Sequence, residues 1–133
     1  MRDIINPESM YSSIEFGFSH AALSSGGKLL HCAGQVAWDI NKNVVGKGDL
    51  ALQVRQALKN LSTVLESVGA GPENLVRIRT YVVDYSPDKL SAIGPELAEF
   101  YGELLPAPNT LLGVQALAMP DFLVEIEATA VID

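Results

Sequence analysis

The chain has 133 residues, 48% hydrophobic and 19% charged, with a formal net charge of −7 from 16 acidic and 9 basic side chains. That length and balance fit a single domain, 1–133, around one core, and an acidic chain with no Lys/Arg run disfavours nucleic acid as a partner, because phosphates call for a basic patch. No apolar run is long enough to span a bilayer, MRDIINPESM lacks the apolar core of a signal peptide, and the single Cys32 cannot form an internal disulfide, so a cytoplasmic protein is expected.

Residues 13–19, SIEFGFS, read as a short strand. KLLHCAGQVAW, 28–38, reads as a mostly buried second strand after the Ser-Ser-Gly-Gly turn at 24–27. Residues 50–68 give the clearest helix: Leu50, Val54, Ala57, Leu58, Leu61, Val64, Leu65 and Val68 recur at steps of three and four. Gln53 and Asn60 fall among the residues assigned away from that stripe. Asp49 suits the N-cap and Gly69 the C′ position. NLVRIRTYVVD, 74–84, alternates with period two. Val76, Ile78, Thr80 and Val82 take one face, and Arg77, Arg79, Tyr81 and Val83 the other. Ser86-Pro87 opens a second helix, and Gly94-Pro95 predicts a kink or break within it. Strands follow at 110–117 and 122–132; in the latter Phe122, Val124, Ile126, Ala128, Ala130 and Ile132 form one apolar face.

The order β-β-α-β-α-β-β indicates an α+β fold, with two helices on one face of the sheet. The other face would carry Leu123, Thr129, Val131, Tyr81 and Val83 beside the charged pairs Arg77/Arg79 and Glu125/Glu127. Apolar residues left uncovered there predict a homo-oligomer.

No phosphate loop, dinucleotide glycine pattern or zinc-spaced Cys/His pair is present, so neither a metal site nor a cofactor is expected. Glu125 and Glu127 share a strand face, as do Arg77 and Arg79. Cross-strand or inter-subunit ion pairing explains them. The functional reading is that one glutamate escapes pairing and acts as a base, with an arginine holding an anion. Asn109 in LLPAPNTLLGV reads either as turn chemistry or as a ligand contact.

The chain resembles the Rid family of reactive intermediate deaminases, also called YjgF-like proteins. The likeness rests on AGQVAWD (33–39), QVRQALKNLSTVLESVGAG (53–71), VRIRTYVVD (76–84), PAPNT (106–110) and ALAMPDFLVEIEATAV (116–131). The resemblance implies a chorismate-mutase-like fold with a mixed sheet, packed as a homotrimeric sheet barrel with ligand clefts between subunits. It also implies hydrolysis of enamines and imines, such as 2-aminoacrylate, without metal or organic cofactor.

Carried over by position, the resemblance makes Glu125 the residue that positions water or a proton. The arginine that clamps the substrate carboxylate in deaminating members is replaced by Asn109. Phe18 stands for a cleft tyrosine, Ala33 for a serine and Leu111 for a cysteine whose backbone N–H lines the cleft, while Gly34 and Gln35 are retained. Arg79 is a candidate replacement cation. The expectation is an altered small-molecule deaminase, weak or inactive on 2-aminoacrylate. The alternative is a non-catalytic metabolite-binding or regulatory trimer in which Glu125 pairs with Arg77 or Arg79. Ribonuclease action, a third reading, is disfavoured by the acidic balance.

Overall fold

Helix α1, Leu50–Glu66, sets the scaffold of the computed structural model, which describes residues 2–133. The Asp49 side chain accepts the Leu52 N–H as N-cap. Gly69 takes φ 73°, and the Ala70 N–H closes back on the Leu65 carbonyl at 2.9 Å. Val54, Ala57, Leu58, Leu61 and Leu65 are all buried. The helix also buries Gln53, which sequence periodicity assigns to the polar side. Its amide donates to the Gly46 and Asp121 carbonyls and accepts the Leu123 N–H, so it ties α1 to the turn before the last strand. Asn60 similarly donates to the Val36 and Trp38 carbonyls. Both amides satisfy backbone groups that no strand pairs.

The sheet holds β3 (Lys28–Gln35), β4 (Leu75–Val83), β5 (Asn109–Val114) and β6 (Val124–Ile132) in the order β3-β6-β4-β5. β6 is antiparallel to both neighbours and β4–β5 is parallel, so the sheet is mixed. Helix α2, Leu90–Tyr101, makes the crossover between the parallel strands. It runs through Pro95 without the expected break. Ile78, Val82, Val124, Ile126, Ala128 and Ala130 pack beneath α1 and α2 in one core. The α+β reading, with two helices on one sheet face, therefore holds.

The N-terminal region departs from expectation. Residues 14–16 form a short 3-10 turn ended by Gly17 at φ 83°, where a strand is predicted at 13–19. A separate hairpin-like pair, β1 (Arg2–Ile5) with β2 (Ala21–Ser24), brackets that turn. Alternating Phe16 and Phe18 imitate strand periodicity, but the left-handed glycine between them turns the chain.

The sheet face away from the helices is uncovered. Leu29 is 59% exposed and Leu112 42% exposed there. Val131, expected on that open face, is buried within the chain.

Candidate functional site

Two neighbouring glutamates on β6 have different surroundings. In the register of β4 and β6, Tyr81 faces Glu125 and Arg79 faces Glu127, all on the open side. The Tyr81 hydroxyl donates to Glu127, and Arg79 makes an ion pair with Glu127 at 3.5 Å. Glu125 has neither a hydrogen bond nor an ion pair among the described residues. Burial first, and the negative Glu127 second, push its carboxyl above the ordinary carboxylate value.

A bulge shapes this site. The β3–β6 register shifts between Cys32 and Gln35, which pair with Ala128 and Ile126. The extra residue brings Gly34 against the Glu125 carboxylate. A Cβ at Gly34 would collide with Glu125 Oε2, so glycine lets the carboxylate lie close against the strand here.

Asn109 lies elsewhere. It pairs with Ile78 on β4, and Leu111 pairs with Thr80, residues whose side chains turn toward the helices. Asn109 and Glu125 thus sit on opposite faces of one sheet. The buried Thr80 hydroxyl donates to Asn109 Oδ1 at 3.2 Å. That bond leaves the amide NH2 as the free end of Asn109.

Asn109 borders two cavities. One, of about 520 Å³, runs between the N-terminal turn, α2 and β5, with Phe16, Phe18, Tyr85, Leu97 and Leu111 among its mostly apolar walls. The other, of about 330 Å³, includes His20, Arg77 and Thr110. Phe18, Asn109 and Thr110 line both. The Phe18 and His20 rings meet edge to face, with centroids 5.9 Å apart, and Tyr11 flanks the same histidine at 4.7 Å. Asn6 holds this segment by accepting the His20 N–H at 2.8 Å and contacting both Ser13 and Ser19.

The candidate residues therefore fall into two groups. Phe18, Asn109 and Leu111 come together around the apolar cavity. Glu125, Gly34 and Arg79 come together on the open sheet face. Arg79 lines neither cavity bordered by Asn109. Arg77 lines one of them, and it has no hydrogen-bond or ion-pair partner among the described residues. A second bulge, between Leu75 and Arg77, lets Leu75 be buried while Arg77 is exposed. Thr80, Tyr11 and Tyr85 also belong to the site. Only the inward parity of Thr80 was visible beforehand. Among the described residues, no group of His, Cys, Asp and Glu is arranged to hold a metal ion.

The sequence and the fold both have counterparts. Residues 12–132 match the family described as Endoribonuclease L-PSP. A RutC family protein of Pyrococcus horikoshii is 32% identical over 105 residues, covering 78% of this chain and 79% of that protein. A 2-iminobutanoate/2-iminopropanoate deaminase of Dermatophagoides farinae is 27% identical over 107 residues, 80% of each chain. The crystal structure of the conserved Rid-family protein YyfB from Yersinia pestis superposes with a TM-score of 0.95 at 53% identity, covering 98% of both chains.

Proposed function

The chain belongs to the Endoribonuclease L-PSP family, the Rid or YjgF-like proteins, and from that premise we propose that it is an altered enamine/imine deaminase with Glu125 as its acid/base group. The observation that carries this reading is the asymmetry of the two glutamates. Arg79 and Tyr81 engage Glu127, and the half-buried Glu125 remains unpaired with a raised carboxyl pKa. The alternative, a non-catalytic metabolite binder, expects Glu125 to pair with Arg77 or Arg79, and Arg79 pairs with Glu127 instead.

In the proposed reaction an enamine tautomerises to its imine. Water oxygen bonds to the imine carbon while Glu125 takes one water proton and passes it to nitrogen, giving a carbinolamine; Glu125 then takes the hydroxyl proton and delivers it to the amino nitrogen, the C–N bond breaks, and ammonia leaves behind a carbonyl. A general base with a pKa lifted toward the working pH serves both transfers.

Asn109 and Glu125 occupy opposite sheet faces, so one chain does not offer both to one ligand. A homotrimer whose open faces pack together would bring Glu125 of one copy toward the Asn109 cavity of the next, and the exposed Leu29 and Leu112 support such packing. Asn109, standing where deaminating relatives carry an arginine, supports weak action on 2-aminoacrylate. The cytoplasm is the compartment we assign, on the single-cysteine argument. The family's descriptive name gives no ground for RNA cleavage here, since a net charge of −7 works against a polyanion.

The test is release of ammonia and keto acid from a panel of enzymatically generated enamines, with sedimentation of the same sample. Turnover by a trimer, lost in Glu125→Gln, is expected. Undiminished turnover in that variant, or a monomer at micromolar concentration, would overturn the reading. Tight metabolite binding with no turnover on any member of the panel would favour the non-catalytic binder.

A further inference from the structure

We infer that Gly94 sets the substrate class of this site: its missing side chain joins the Asn109 cavity to a second apolar cavity along α2, and the two together admit an uncharged substrate with a long apolar chain. This deepens the preceding reading and rests on it for which end of the ligand reacts.

The apolar cavity beside Asn109, about 520 Å³, has no Lys, Arg, His, Asp or Glu among its described lining. A second cavity of about 520 Å³ continues between the N-terminal turn, α2 and Pro106. Phe16, Leu90, Gly94 and Leu97 line both, so the two form one continuous space on the helix side of the sheet. Each half alone falls in the range typical of small-molecule sites, and a three-carbon enamine acid would leave most of the space empty. The one charged residue lining the second cavity is Glu15, an anion. A carboxylate in this space would therefore lie buried without a cation, which is costly.

Gly94 stands inside helix α2, where glycine is the least favourable residue after proline. Its φ is not left-handed. Beyond its chain neighbours and its own helix backbone, a Cβ there would meet nothing within 4 Å. The room a side chain would take is the room where the two cavities meet. Pro95 crowds the residue before it, which a glycine also relieves, so both positions enter the test. At the far end Thr80 occupies Asn109 Oδ1, and the amide NH2 calls for an acceptor such as a carbonyl oxygen. Ile14, Phe16, Leu90 and Leu104 are exposed around the second cavity, and an apolar chain laid there would cover them. The substrate class is a neutral imine or enamine with a carboxamide beside the reacting carbon and an aliphatic chain of several carbons.

Calorimetric titration of the intact protein with 2-oxopropanamide, 2-oxohexanamide, 2-oxooctanamide and 2-oxooctanoate tests this. The amides are the products that neutral imines of this class would give. Each added methylene should tighten amide binding about fourfold while the cavities fill. 2-Oxooctanoate should bind about tenfold more weakly than its amide, or worse. Gly94→Leu should bring 2-oxooctanamide down to the affinity of 2-oxopropanamide and leave the short amide unchanged. Pro95→Ala should keep the chain-length dependence, and if Gly94→Leu folds poorly beside Pro95, the Gly94→Leu/Pro95→Ala pair decides. Glu99→Leu, on the same helix but outside both cavities, should change nothing. Affinity indifferent to chain length, tighter binding of the acid than of its amide, or full affinity for the long amide in both Gly94→Leu proteins would overturn the assignment. Chain-length-dependent binding blocked by Gly94→Leu, with turnover unchanged in Glu125→Gln, would keep this inference and sink the deaminase reading. Turnover lost in Glu125→Gln with binding indifferent to chain length would do the reverse.

Discussion

The Tyr81 hydroxyl donates to Glu127 and not to Glu125, its own partner in the β4–β6 register. One diagonal contact thereby divides two chemically identical side chains into a neutralised member and an available one.

The available member should leave a signature in stability. Glu125 has its folded pKa above the ordinary value of 4.5, because burial disfavours its charge. Its contribution is present in full below the unfolded pKa and lost as pH rises through the folded one. Glu125→Gln should therefore be the more stable protein at neutral pH, with the difference vanishing below about pH 4. Thermal melts across pH check this; a variant less stable at pH 7 would contradict it. The acidic limb of the rate profile should also lie above the ordinary value and move down in Glu127→Gln.

Gly34→Ala separates position from charge. The new methyl displaces the Glu125 carboxylate, which is the mobile end of a side chain, so the fold should lose only about 1 kcal/mol. Turnover should fall about a hundredfold, as misplacement by an ångström does. Denaturant titration beside steady-state rates gives both numbers.

Thr80→Val keeps the buried shape and removes the hydroxyl that holds Asn109. The expected cost is about 1 kcal/mol of stability. Ligand affinity should also drop, because the amide is released to turn. An NMR spectrum of the Asn109 side-chain amide would show sharpened exchange on loss of that bond.

Tyr101 offers a stabilising change. Its buried hydroxyl makes no hydrogen bond of full geometry; burial pushes its pKa up to about 12, with the nearby Ala107 N–H only tempering the shift. Tyr101→Phe should stabilise the chain by roughly 1 kcal/mol, whereas Leu61→Ala, in the closed core, should cost about 2–5 kcal/mol.

Much of the frame was legible because burial imposes a period. Helix α1 and strands β4 and β6 advertise their inner faces through Leu, Val and Ile at regular steps. Gln53 and Asn60 broke the rule, since each satisfies backbone far away in sequence. The roles of Glu125 and Glu127, and of Arg77 and Arg79, were beyond pattern reading. Each pair shares type, strand and face, and what separates its members is pairing register and two bulges. Arg79, the cation expected to replace the missing clamp, is engaged by Glu127; its neighbour is the free one. Asn109 could be recognised as unusual, but its capture by Thr80 depends on a parallel pairing between strands joined through α2.

The sheet order has a consequence for biosynthesis. β6 is translated after the other three strands of its sheet and lies between β3 and β4, so β3 has no partner in that sheet, and β4 only the parallel β5, until Val124–Ile132 has emerged. At a few residues to some tens per second, the ribosome holds α1 and its bare apolar stripe waiting for several seconds. The nascent chain should therefore engage chaperones up to that point and close its sheet in a single late event.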